Sequence, residues 1–117
     1  MTKRDARSSL EQMLAHAQEA VELLRTRKKD DLDTDRVLSL AVVRLLEIVG
    51  EAANRVPKEE HANYASIPWA EIIGLRNRLI HTYDDVDHDI VWSIVCRDLP
   101  TLIAELNRIL SRAGHER

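Results

Sequence analysis

Apolar residues recur every three or four positions through most of this chain, the spacing of one helix face, and no stretch alternates strictly between turn signals as a strand would. From about Asp5 to Arg27, Leu10, Met13, Leu14, Ala17, Val21 and Leu24 fall on one side and charges on the other, which predicts a first helix. The polar run Lys28-Lys29-Asp30-Asp31 breaks it as a solvated loop. Asp33 or Thr34 is placed to cap a second helix, which reaches about Arg55 and stops ahead of Pro57. That helix is apolar over most of its circumference, through Val37, Leu38, Leu40, Ala41, Val42, Leu45, Leu46, Ile48, Val49 and Ala52. A surface helix needs one apolar stripe, so this one is expected to pack on more than one side, against its own bundle and against a second subunit.

Residues 56–67 read as a connection. Ser66 or Ile67 then starts a third helix, with Pro68 in its first turn and Glu71 favoured by the helix dipole, ending around His81–Asp84. Asp87 caps a fourth, whose apolar positions run from Ile90 to Leu110 and which Gly114 closes. Pro100 lies inside that pattern and predicts a kink or a split. The sum is an all-α bundle of four helices, five if Pro100 divides the last, in a single domain spanning 1–117.

Composition agrees with this reading. The chain is 44% hydrophobic and 32% charged, with three glycines, three prolines and no phenylalanine, so aliphatic side chains must build the core. The lone Cys96 sits among apolar neighbours in the helical pattern, where a buried inert thiol is expected. The N-terminal stretch turns amphipathic at once, and Arg44, Glu47 and Glu51 interrupt the most apolar region. A cytoplasmic protein with no membrane span is expected. The net charge of −3 excludes nucleic-acid binding through a broad positive field, so any RNA contact must be local.

The local chemistry is concentrated in Leu75-Arg76-Asn77-Arg78-Leu79-Ile80-His81-Thr82-Tyr83. A guanidinium that forks onto phosphate and an imidazole that moves protons near neutral pH are a minimal kit for phosphodiester chemistry without a metal. RNA carries its own nucleophile, the 2′-hydroxyl; a base must take its proton, an acid must protonate the leaving 5′ oxygen, and a cation must stabilise the crowded phosphorane. Arg76 and His81 fit these catalytic roles, and Arg78 fits an RNA-binding one. On a continuous helix Asn77 and His81 share a face, so the amide would hold the imidazole in one tautomer as a supporting residue. Arg76 and His81, five apart, would diverge by roughly 140°. Either the helix loosens at His81 or the site is a groove, and a groove at a two-fold interface, which the geometry allows without demanding it, would resolve the conflict.

Other clusters are weaker. Asp84-Asp85-Val86-Asp87-His88-Asp89 offers hard oxygen donors but lacks the spacing and glycine of a calcium loop, and capping accounts for Asp87 and Asp89, so no metal is expected. Glu47 and Glu51 beside Arg44 lack the Glu-x-x-His partners of a di-iron bundle, which leaves ion pairing or an interface role. Ser8-Ser9-Leu10-Glu11 has capping-box spacing but lies inside the first amphipathic stretch.

Arg76-x4-His81-x-Tyr83 resembles the signature of the HepT-like branch of the HEPN ribonuclease superfamily. Arg44-Leu-Leu-Glu47-Ile-Val-Gly50-Glu51-Ala52, Ile67-Pro68-Trp69, Val91-Trp92 and Asp98-Leu99-Pro100 match its pattern in the same order, over about residues 5–112. The resemblance implies a helical homodimer with a composite cleft where the two Arg-x4-His segments meet. It implies a metal-independent endoribonuclease without cofactor, catalytic at Arg76 and His81, as the toxin of a type VII toxin–antitoxin module. It also implies a neighbouring minimal nucleotidyltransferase antitoxin that silences the toxin by transferring AMP to Tyr83. The competing expectation is a helical module that binds the nucleotidyltransferase and does not cut RNA.

Overall fold

The computed structural model describes residues 3–82 and 85–115, with side chains over 5–79 and 85–112. Three long helices make the frame: α1 (Lys3–Leu24), α3 (Arg36–Arg55) and α8 (Leu99–His115). α1 lies between the other two and packs along both. Its buried positions, Ala6, Leu10, Met13, Ala17, Ala20 and Leu24, follow the predicted helical stripe. The expected start and end shift by two or three residues, because the chain turns at Arg25–Arg27, where the Arg27 amide donates to the Leu24 carbonyl at 3.1 Å.

The second predicted helix begins later than Asp33 or Thr34, which belong to a separate helical turn, α2 (Asp31–Thr34). The cap is Asp35. Its Oδ1 accepts from the Leu38 amide at 3.1 Å, and its Oδ2 receives the Arg27 guanidinium at 2.6 Å, fastening the start of α3 to the end of α1. These contacts, the Leu38 amide first, hold the Asp35 carboxyl below the usual carboxylate range. The inner face of α3 is fully buried at Val42, Leu46, Val49 and Ala53, but Val37 and Leu40 are 77% and 55% exposed. Within one chain, then, α3 is covered on one side and open on the other.

The 56–67 connection is not plain loop. It forms α4 (Lys58–His61) and a 3₁₀ turn (Ala62–Tyr64) after Pro57. The His61 ring stacks on Trp69 at 4.2 Å and donates from Nε2 to the Val56 carbonyl, while the Trp69 indole donates to the Tyr64 carbonyl. The third predicted helix is divided: α5 (Trp69–Ile73) ends at Gly74 and α6 (Leu75–Leu79) starts anew from the Gly74 carbonyl, which accepts from the amides of Asn77 and Arg78.

The helix also stops at Leu79 rather than running to His81–Asp84. The Asp87 amide takes the Leu79 carbonyl at 2.9 Å, and the β-branched pair Ile80 and Thr82 continues as strand β1 (Ile80–Thr82) against β2 (Asp85–Val86). The ribbon is antiparallel, with Ile80 opposite Val86 and Thr82 opposite Asp85. Although the fold is all-α as expected, this small ribbon corrects the absence of candidate strands.

Asp87 caps α7 (His88–Ser93) as predicted, accepting from the Ile90 amide at 3.1 Å. Between α7 and α8 the helix widens into a π turn, Ile94–Asp98, which divides the fourth predicted helix just ahead of Pro100, where a kink or split was expected. In a regular α-helix the Pro100 ring would meet the carbonyl four residues back, and the wider turn relieves that. The same turn carries Cys96 outward: it is exposed, not buried, and local desolvation raises its thiol pKa. Gly114 lies within α8, which extends to His115. No described helix is long and apolar enough to cross a membrane.

Candidate nucleic-acid site

α6 places its three polar residues between two anchors. Leu75 and Leu79 are buried, and Arg76, Asn77 and Arg78 between them are exposed. The segment can sit this low on α3 because of Gly50: a Cβ there would lie 2.9 Å from the Ile72 carbonyl oxygen. Gly50 therefore admits the α5 backbone, and α6 follows it onto the face of α3 that carries Glu47.

Arg76 meets Glu47 at that face. Its Nε lies 3.7 Å from Glu47 Oε2, and the side chain is 76% exposed. The other carboxylate oxygen lies 3.9 Å from Arg44 Nη1, which also bonds Glu51 Oε1 at 3.2 Å. The ion-pair role expected for Glu47 and Glu51 is present, and sequence reasoning missed only that Arg76 belongs to the same chain of charges.

Arg44, Glu47 and Arg76 line an open groove of about 810 Å³ between α3, α6 and β2. Among the described residues its arginines are Arg36, Arg44 and Arg76 and its acids Asp33, Glu47 and Asp85, so opposite charges balance there. Any anion bound here must be recognised by a particular guanidinium and not by net field.

Because α6 ends at Leu79, the helical-wheel relations drawn for His81 do not hold. Its backbone lies in β1, whose partner strand supplies Asp85 and Val86 to the groove wall. The helix thus loosens just before His81, the condition under which it and Arg76 can serve one groove. The His81 side chain lies outside the described side chains, as does any contact with Asn77. Tyr83 lies outside the described residues. Arg78 is not brought to this groove: its Nη2 lies 3.8 Å from Asp98 of the π turn.

A second feature of the groove escaped the sequence altogether. His88, at the start of α7, contacts Asp33 Oδ1 through Nδ1 at 2.6 Å and Ser39 Oγ through Nε2 at 3.0 Å. With the carboxylate accepting, Nδ1 carries a proton. Lys29 adds a 3.0 Å bridge to Asp89, which raises the lysine pKa through that hydrogen bond and the carboxylate charge. Together these contacts pin the end of the ribbon to α2 and α3. The partners are 49 and 55 residues from His88, beyond any local signal. Among the described residues, no group of three or more His, Cys, Asp or Glu side chains is gathered to hold a metal ion.

A largely exposed guanidinium, met by a carboxylate on its Nε side, carries the fork suited to phosphate oxygens. Comparison with known proteins points the same way. The family model described as Ribonuclease HepT-like matches residues 13–109. A protein of Caldanaerobacter subterraneus named as a candidate RNase is 36% identical over 106 residues, 91% of this chain and 95% of its own. One from Methanocaldococcus jannaschii, also named as a candidate RNase, is 33% identical over 91% of this chain and 97% of its own. A third, from Thermococcus cleftensis and named as a candidate ribonuclease HepT, is 34% identical over 78% of this chain and 86% of its own. No solved structure gives a significant match.

Proposed function

Since this chain belongs to the HepT-like ribonuclease family, we propose that it is a metal-independent endoribonuclease whose catalytic pair is Arg76 and His81. The observation that carries the reading is the Arg76 guanidinium, exposed at a groove whose wall includes the ribbon bearing His81. The 2′-hydroxyl attacks the adjacent phosphorus, the bond to the 5′ oxygen breaks, and a 2′,3′-cyclic phosphate and a 5′-hydroxyl remain. Histidine serves the two proton transfers, from the 2′ oxygen and to the 5′ oxygen. Arg76 takes the charge that develops on the non-bridging oxygens. Asn77 supports this site, and Arg78, on the other side of α6, contacts RNA only where the strand leaves the groove.

The open side of α3, with Val37 and Leu40 exposed beside the groove, supports a homodimer that joins two such sites into one cleft. Tyr83 follows His81 by two residues. AMP on its hydroxyl sets bulk and negative charge against an incoming RNA phosphate, so the chain fits the toxin of a type VII module silenced by a minimal nucleotidyltransferase antitoxin. With that enzyme, ATP and Mg²⁺, wild type should gain adenylyl mass and lose cleavage, whereas Tyr83→Phe should gain none.

The deciding experiment is RNA cleavage in EDTA. Wild type should cut, His81→Ala should not, and Arg76→Ala should be slower on the order of a hundredfold or more, with all three folded. Cutting by His81→Ala, or cutting that chelator stops, contradicts the mechanism. A wild type that binds the nucleotidyltransferase and never cuts RNA is instead a non-catalytic helical partner module.

A further inference from the structure

We propose that Glu47 is the positioning residue for Arg76: its carboxylate holds the guanidinium by the Nε side and leaves the two terminal nitrogens facing the groove for the phosphate. The inference rests on the ribonuclease reading above and adds a residue to it. Glu47 is a charged side chain only 21% exposed, on the face of α3 that receives α6, and one oxygen turns to Arg76 and the other to Arg44. Gly50 lies three residues further along the same helix face and sets the approach of the α5 backbone. One helix face therefore fixes both the height of the segment and the orientation of its arginine.

An exposed arginine explores many rotamers, and a productive phosphate contact needs a narrow set of them. A carboxylate at 3.7 Å restricts that freedom before substrate arrives, which speeds the chemical step through pre-organisation. Exposed ion pairs contribute little to folding, so the effect should appear in turnover and not in stability. The charge of Glu47 also repels an RNA phosphate, so its removal should not weaken substrate binding. These two opposed consequences separate a positioning role from simple electrostatic attraction.

The test is steady-state RNA cleavage by wild type, Glu47→Gln, Arg76→Lys and the double variant, each checked for an unchanged melting temperature. Glu47→Gln should lower kcat on the order of tenfold to a hundredfold with KM unchanged or reduced. In the Arg76→Lys background, which has no Nε, the same substitution should add no further loss. Wild-type kcat in Glu47→Gln, a rise in KM alone, or an equal loss in both backgrounds overturns the positioning role while the ribonuclease reading stands. A wild type that does not cut, or an Arg76→Lys that cuts as fast as wild type, overturns both.

Discussion

The frame and the segment that carries the site are built on opposite terms. α1, α3 and α8 are 22, 20 and 17 residues long, and α1 buries continuous stripes against the other two. The described residues between Trp69 and Val86 form two helices of five residues each and a ribbon of three and two. Helices that short do not persist alone in water, so their conformation is imposed from outside. Four buried anchors, Trp69, Ile72, Leu75 and Leu79, supply that constraint by packing into the frame. Between Leu75 and Leu79, the side chains of Arg76, Asn77 and Arg78 are exposed and have no packing duty. Such a segment can expose Arg76, Asn77 and Arg78 without loss to the core, provided α3 receives it at the right height and angle.

Leu46 and Leu79, both fully buried, test this division most severely. Truncating either to alanine should cost about 2–5 kcal/mol in denaturant unfolding. Leu46→Ala should leave cleavage per folded molecule unchanged, whereas Leu79→Ala, at the junction of α6 and β1, should lower it as well. Equal effects on cleavage would erase the distinction between frame and segment.

Gly50→Ala sharpens it with a smaller effect. Alanine is the better helix former by about 1 kcal/mol, but its Cβ 2.9 Å from the Ile72 carbonyl forces the two elements apart, an overpacking cost of about 1–3 kcal/mol. A net loss of stability is expected, with a loss of cleavage larger than unfolding explains. A more stable protein that cuts normally would show that the approach is not tight.

Acid should act on the frame before it acts through any group in α6. Asp35 has its carboxyl held low by the Leu38 amide and Arg27. Its contribution is therefore complete above the unfolded value of about 3.9 and is lost as pH falls through the lower folded value. Asp35→Asn should flatten the acid limb of the stability curve; an unaltered limb would remove Asp35 as its cause. Least affected should be Arg78→Ala, since its 3.8 Å contact with Asp98 joins two exposed side chains and contributes ~0–1 kcal/mol. Its cleavage should fall far less than that of Arg76→Ala.

The same division explains what the sequence disclosed. Long stripes announce themselves, so the frame helices, the Asp87 cap and the pairing of Glu47 and Glu51 with Arg44 were all legible. The break at Gly74 was not, because Ile72, Leu75 and Leu79 keep a helical phase across it and only the restarted hydrogen bonds reveal two helices. His81 was placed on a helix for the same reason, whereas the stop comes from Asp87 capturing the Leu79 carbonyl eight residues away. Cys96 looked buried because the periodic pattern runs through it, and a π turn rotates it outward. The residue types at Arg76 and His81 suggested phosphate chemistry, which the proposed mechanism takes up. The carboxylate that meets Arg76 comes from another helix, and no spacing rule reaches it.

The ends left on cut RNA test the assigned chemistry most directly. With EDTA present throughout, mass analysis of fragments made by wild type should show 2′,3′-cyclic phosphate on the upstream piece and a 5′-hydroxyl on the downstream one. Fragments bearing 5′-phosphates, or none until a divalent metal is added, would contradict catalysis by Arg76 and His81.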